Sequence, residues 1–416
     1  MALVARLLAH LPPDVDAAAV RTGGKAIVGA VPSDVVSASG PDAFARLDTL
    51  EAGWWAGFAS YDLGRAVERI VARTDGGGGD PPDLLLARFP ARAVVDLASG
   101  AVDVVGDGPG RPVLEDAARR AAGAPSRPVD VTAIAAPRWQ SSLDRTAFEA
   151  AVDTILELIR AGDCYQVNLT RRLTGAVALD PVGLFGALEA RNPSPHAAFL
   201  RVGAAGRRAP LAVVSASPEC FLRWNGRDVE TRPIKGTARD AAALRRSAKD
   251  RAENVMIVDL ARNDLGRVCE PGSITVPSLC ELESHPGLHH LVSTVRGRRR
   301  ASIGVGALLR ATFPPASVTG APKPRVLQII EDLEPVRRGV YCGAVGWIDT
   351  ERDAGELAVA IRTFSIMPGA THLGVGAGIV ADSDPAAEWA ETELKGARLL
   401  ACAAEVSRAP AHALAS

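Results

Sequence analysis

Lysine is nearly missing from this chain. Of its 47 basic residues, five are lysine (Lys25, Lys235, Lys249, Lys323 and Lys395) and the other 42 are arginine. Arginine cannot lose its proton in a protein, whereas lysine can, and then attacks carbon. A chain that uses arginine wherever a plain positive charge serves keeps lysine for work arginine cannot do. Scarcity alone still fits an ion-paired strand lysine, so the neighbours decide.

Other absences narrow the field. The six cysteines, at 164, 220, 269, 280, 342 and 402, form no Cys-x-x-Cys pair. That excludes a zinc ribbon or redox dithiol and fits reduced thiols. The net charge is −1, so no nucleic-acid or membrane-surface partner is implied. No apolar run is long enough to span a bilayer, and residues 1–12 lack a long apolar core followed by a cleavage site. These features predict a soluble cytoplasmic protein. The glycines at 374, 376 and 378 are no dinucleotide fingerprint, because no helix opens at the third. Glycines inside a strand instead suggest close approach of a ligand or another strand. There is no internal repeat.

What remains is an ordinary globular composition, 416 residues with 47% hydrophobic and 23% charged, enough for one large core or two medium ones. Residues 1–125 read as a smaller strand-rich region, with a buried strand over 53–61 and further strands over 84–97 and 101–105. A glycine run (Gly76 to Gly79) predicts a loop, 114–122 a short helix, and 123–137 a connection. Residues 140–410 carry the chemistry. Asp144 caps a helix striped by Phe148, Val152, Ile155 and Ile159, ending before Gly162. A strand follows that places Gln166, Asn168 and Thr170 on one face.

Lys235 lies in Arg232-Pro233-Ile234-Lys235-Gly236-Thr237. A hairpin turning at Asn225-Gly226 is expected to bring Glu219, on its outgoing arm, toward Lys235 on the return arm. A carboxyl group beside a lysine is either an acid/base partner or a cross-strand ion pair. A helix from Asp240 to about Gly266 carries Asp250 and Glu253, three apart on one face. A second, opened by Asp384-Pro385, carries Glu388, Glu391 and Lys395 on one face. Strands are expected at 274–276, 290–295, 341–348, 357–366 and 372–380. Thr319-Gly320-Ala321-Pro322-Lys323 leads into a helix whose free N–H groups suit an anion. Two carboxylate pairs beside a candidate nucleophile suggest magnesium, which takes oxygen ligands and commonly uses one or two carboxylates plus substrate groups.

Several motifs together resemble the chorismate-utilising enzymes. They are Pro233-Ile234-Lys235-Gly236-Thr237, the run from Ala252 to Asp264, His290-Leu291-Val292-Ser293, Thr319-Gly320-Ala321-Pro322-Lys323, Ile361-Arg362-Thr363 and Gly376-Ala377-Gly378-Ile379-Val380-Ala381-Asp382-Ser383. They stand in family order over residues 140–405. The resemblance implies an α+β fold of antiparallel β-sheets packed as a sandwich with helices outside, the cleft between the sheets, and both termini contributing to one unit. Within the family the chain is most similar to the aminodeoxychorismate synthase branch. Anthranilate synthases typically carry alanine at the position of Lys235, and isochorismate and salicylate synthases a water-activating lysine at that of Gln166. Gln166 cannot be that base, so attack by nitrogen is favoured over hydration.

What the resemblance implies for the site can be set out residue by residue. Mg²⁺ is held by Glu253 and Glu391, with Asp250 and Glu388 acting through water, and it binds the ring carboxylate of chorismate. Tyr341 and Arg362 take the enolpyruvyl carboxylate. Gln166, Thr319, Gly320, Gly376, Gly378 and Lys395 line the substrate. Lys235 is the nucleophile, Glu219 the acid and His290 an assistant. Ammonia comes from a separate glutamine amidotransferase subunit, and the product, 4-amino-4-deoxychorismate, leads to 4-aminobenzoate and folate or to a secondary metabolite. Anthranilate synthase component I and a non-catalytic chorismate-binding regulatory subunit are the alternatives.

Overall fold

A computed structural model describes residues 2–68, 70, 80–123, 138–176, 178–203, 210–238, 240–285 and 288–408. The glycine run 76–79 and the connection over 124–137 lie outside them. Every strand pairing within its two large sheets is antiparallel. The sheets face one another, and a core of Ala18, Val20, Leu200 and Val213 from one meets Trp54, Phe58, Leu85 and Val345 from the other. Two further cores lie under the helices. The sandwich with outer helices is therefore the architecture found.

Strand Trp54–Ala59 shows why the sheets are buried on both sides. All six of its residues are buried. Trp54, Ala56 and Phe58 enter the core between the sheets, while Trp55 and Ala59 face the helix side, as a period of two requires. Strands from the first 125 residues join both sheets. Ala17–Thr22 pairs with His196–Val202, and Trp54–Ala59 pairs with Ala344–Asp349.

Three expectations are corrected. The runs 84–97 and 357–366 are each two strands in different sheets, Leu84–Arg88 with Arg92–Asp96 and Ala354–Val359 with Thr363–Met367. The chain crosses between sheets at Phe89-Pro90-Ala91 and at Ala360-Ile361-Arg362, and Arg362 there takes a positive φ of 52°. The helix expected from Asp240 is two helices, Ala241–Arg246 and Ala248–Gly266. Ser247 breaks the first and caps the second, accepting from Asp250 N at 3.2 Å. The lysine strand Ile234–Ala238 is not the hairpin's return arm. That arm is Asp228–Arg232, paired with Cys220–Asn225 around Gly226-Arg227, and after Pro233 the chain pairs instead with Leu288–Arg298. Proline has no N–H to continue the ladder.

Helix Ala248–Gly266 is bolted to the turn before helix Lys323–Leu333. Buried Lys323 Nζ donates to Asp264 Oδ2 at 2.6 Å and to the carbonyls of Thr312 and Pro314 at 3.0 and 2.9 Å. Removing one partner of a buried pair strands the other charge. Lys323→Met is therefore expected to destabilise the protein by about 3–5 kcal/mol, measured by urea unfolding. A loss under about 1 kcal/mol would show the pair to be dispensable.

Candidate active site

Two of the candidate residues, Gln166 and Lys235, come from different sheets and meet beside Gly378. Strand Gln166–Gly175 runs beside Ala370–Ile379, with Thr170 opposite Gly376 and Asn168 opposite Gly378. From the other sheet, Lys235 reaches the same place. A Cβ on Gly378 would lie 2.6 Å from Gln166 Nε2 and 3.4 Å from Lys235 Nζ. Glycine there clears the volume in which the two side chains meet. Gln166 is buried, and among the described residues neither its Nε2 nor its Oε1 has a hydrogen-bond partner. A buried amide left open on both atoms suits a polar ligand.

Lys235 stands between two carboxylates. Its Nζ lies 4.0 Å from Glu253 Oε2. Glu219 is buried, and its Oε1 accepts from Ile234 N at 3.3 Å, one residue from Lys235. Burial pushes the Lys235 ammonium below its ordinary pKa, while Glu253 and Glu219 pull the other way. Burial also raises Glu219 to about 7, against hydrogen bonds from Ser317 and Ile234 and the charge of Lys235. Burial thus shifts both groups toward their uncharged forms.

The two acidic pairs lie near enough for Glu388 to act on the charge of Glu253. Burial raises Glu253, and the charges of Asp250 and Glu388 add to that. Burial likewise raises Glu388, whose Oε1 accepts from Ser383 Oγ at 2.6 Å. Burial works to raise Glu391 too, but Lys395, 2.6 Å away, holds it below its ordinary value. Lys395 Nζ also donates to Gly376 O at 3.0 Å, joining the acidic helix Pro385–Val406 to the glycine strand. Asp250 packs on Gly236, whose φ of 76° and lack of a Cβ both fit that contact. The donor set is oxygen-only, yet among the described residues no three such groups converge into a ready cage. It fits a hard cation that takes one or two carboxylates and completes its shell with water and substrate.

The residues expected to receive the substrate's anionic groups are placed as follows. Thr319 is buried, its Oγ1 donating to Pro315 O at 2.9 Å, and Gly320 packs directly on the Gln166 carbonyl. The Tyr341 ring lies against Gly374, where any Cβ would collide with it, and burial raises its phenol. Burial, then the charge of Arg398, lowers the Arg362 guanidinium. His290 is buried on the neighbouring strand, opposite Thr237, while Leu291 is opposite Lys235. Sequence reasoning gave no role to Ser383, which orients Glu388, although its place at the end of the Gly376–Ser383 motif marked it. It likewise passed over Asn254 and Ser293. Asn254 Nδ2 donates to Leu291 O at 3.1 Å, and Ser293 Oγ donates to Asn254 Oδ1, fixing helix Ala248–Gly266 against the strand beside Lys235.

Residues 19–401 match the family described as chorismate binding enzyme. The chain is 39% identical over 356 residues to aminodeoxychorismate synthase component 1 of Klebsiella aerogenes, covering 83% of this chain and 76% of the relative. It is 38% identical over 369 residues to anthranilate synthase component 1 of Thermus thermophilus, covering 85% and 78%. The crystal structure of anthranilate synthase component I from Streptococcus pneumoniae superposes with a TM-score of 0.76 at 27% identity, covering 91% of this chain and 92% of that one.

Proposed function

The chain belongs to the chorismate binding enzyme family, and from that premise we propose that it aminates chorismate at C4, through a covalent bond to Lys235, giving 4-amino-4-deoxychorismate. The observation that carries this reading is Lys235 itself, an amine only 12% exposed, near Glu219 and Glu253 and facing Gln166 and Gly378.

Each residue has a part in the proposed reaction. Arg362 and Tyr341 orient the enolpyruvyl carboxylate, a planar guanidinium suiting two oxygens at once. The N–H groups around Thr319-Gly320, Gly376 and Gly378 receive anionic oxygens, and Lys395 holds Gly376 in place. Magnesium, when held by Glu253 and Glu391 with Asp250 and Glu388 through water, supplies neutralisation of the ring carboxylate. Neutral Lys235 forms a bond to C2, both ring double bonds shift by one position, and the C4–O bond breaks. Glu219 delivers the proton that lets the hydroxyl leave as water, with His290 assisting. Ammonia then bonds to C4, both double bonds return, and the C2–N bond breaks to release Lys235. Chorismate and ammonia thus give 4-amino-4-deoxychorismate and water, with the enolpyruvyl group intact.

Glu219→Gln keeps an acceptor for Ile234 N but cannot donate a carboxyl proton. It is expected to lower kcat on the order of 10²–10⁴-fold while the KM for chorismate stays near its starting value. An unchanged kcat would remove Glu219 from the acid's role.

Ammonia is the proposed co-substrate, delivered by a separate glutamine amidotransferase. The component 1 names of the relatives support a second component. Purified chain given chorismate, Mg²⁺ and ammonium should make a product that still carries pyruvate and yields 4-aminobenzoate only when a separate lyase is added. Glutamine should not replace ammonium until the second subunit is present. Efficient use of glutamine by the chain alone would refute the partner. The similarity to an anthranilate synthase supports a second reading, amination at C2. Anthranilate and free pyruvate as main products would favour it.

A further inference from the structure

Gln166 and the Thr319-Gly320 turn lie on segments that touch over a short length. The two-residue strand Gly320–Ala321 pairs with Val167 and Gln166, and Asn168 N donates to Thr319 O at 2.9 Å. So short a pairing is weak by itself. One buried ion pair braces it. Arg338 Nη1 donates to Val318 O at 2.8 Å and Nη2 to Asn168 O at 2.6 Å. Its Nε and Nη2 also reach the Glu334 carboxylate at 2.9 and 2.6 Å, and Glu334 Oε1 accepts from Thr170 N at 2.8 Å.

Both residues are 6% exposed, and the guanidinium carbon lies 4.2 Å from the centre of the Tyr61 ring. A single rigid fork thus fixes the carbonyl before Thr319 and the carbonyl two residues after Gln166. A lysine lacks that planar geometry.

We propose that Arg338, with Glu334, is a positioning residue for the substrate site, setting the depth at which Thr319-Gly320 meets Gln166. This rests on the reading that those three residues face chorismate. Tyr61 covers the clamp, which gives the N-terminal region a share in the site.

The test compares Arg338→Lys and the double variant Arg338→Met/Glu334→Gln, which leaves neither charge stranded, in the full chain. The control is Arg21→Met/Glu189→Gln. It removes a 2.6 Å pair on strand Ala17–Thr22, five strands along the same sheet from Gln166–Gly175. Melting temperature is read beside kcat and the KM for chorismate at saturating ammonium.

Both Arg338 variants should raise KM about tenfold or more with kcat within about threefold, a loss of binding rather than of chemistry. The control should lose melting temperature and keep its KM within about twofold. An unchanged KM in a folded Arg338 variant overturns the proposal. Should the double variant fail to fold, Arg338→Lys decides. Failure of the unmutated chain to bind chorismate overturns the underlying reading and is seen before any variant is made.

Discussion

Replacing Lys235 with alanine is expected to remove the covalent adduct and to slow C4 amination by about 10³-fold or more, the scale on which covalent groups act. The loss should fall on kcat. The residues proposed to hold the substrate, Gln166, Thr319-Gly320, Tyr341 and Arg362, remain, so the KM for chorismate should move little. Folding should survive as well. Glu253 is left without Lys235, but its side chain is 15% exposed and burial already favours its neutral form. Alanine also frees the space facing C2, so a trace of anthranilate from direct attack there is expected. Fluorescence detects it. Wild-type rates of C4 amination in the alanine variant would show that the amine is not the nucleophile.

Glu253→Gln and Glu391→Gln should each abolish activity while leaving the fold intact. Both swaps are nearly isosteric and remove one negative charge. For Glu253 the change is tolerable because burial opposes its charged form. Glu391 is held ionised by Lys395 at 2.6 Å in a half-exposed setting, where such a pair contributes at most about 1 kcal/mol. The proposed cation would lose a charged oxygen ligand in either variant. The transition state then loses several kcal/mol of charge stabilisation, on the order of 10³-fold in rate. Excess chelator should silence the wild type to the same degree, and added Mg²⁺ should restore the wild type alone. Full turnover in chelator would refute the metal site.

Much of the fold was legible because its signals are local. Asp144 does cap helix Arg145–Arg160, accepting from Ala147 N at 2.8 Å, and Phe148, Val152 and Ile155 are its buried stripe. The acidic spacings on helices Ala248–Gly266 and Pro385–Val406 bring Glu253 and Glu388 within reach of each other's charge, while among the described residues no three such groups converge. What was not legible depends on partners far away in sequence. Arg362 turns the chain from one sheet to the other in a backbone region that glycine usually marks. The partner of Ile234–Ala238 lies some fifty residues on, and no local pattern names it. Arg338 and Glu334 belong to no motif that the sequence marks, and only their five side-chain hydrogen bonds show them buried as a brace.

The most direct measurement is mass spectrometry of the intact enzyme and its Lys235 peptide after incubation with chorismate and Mg²⁺ in the absence of ammonia. The account predicts an added mass equal to chorismate less one water, located on Lys235, lost when ammonium is added and replaced by a product that retains pyruvate. An unmodified Lys235 throughout turnover, with anthranilate and free pyruvate released, would contradict it.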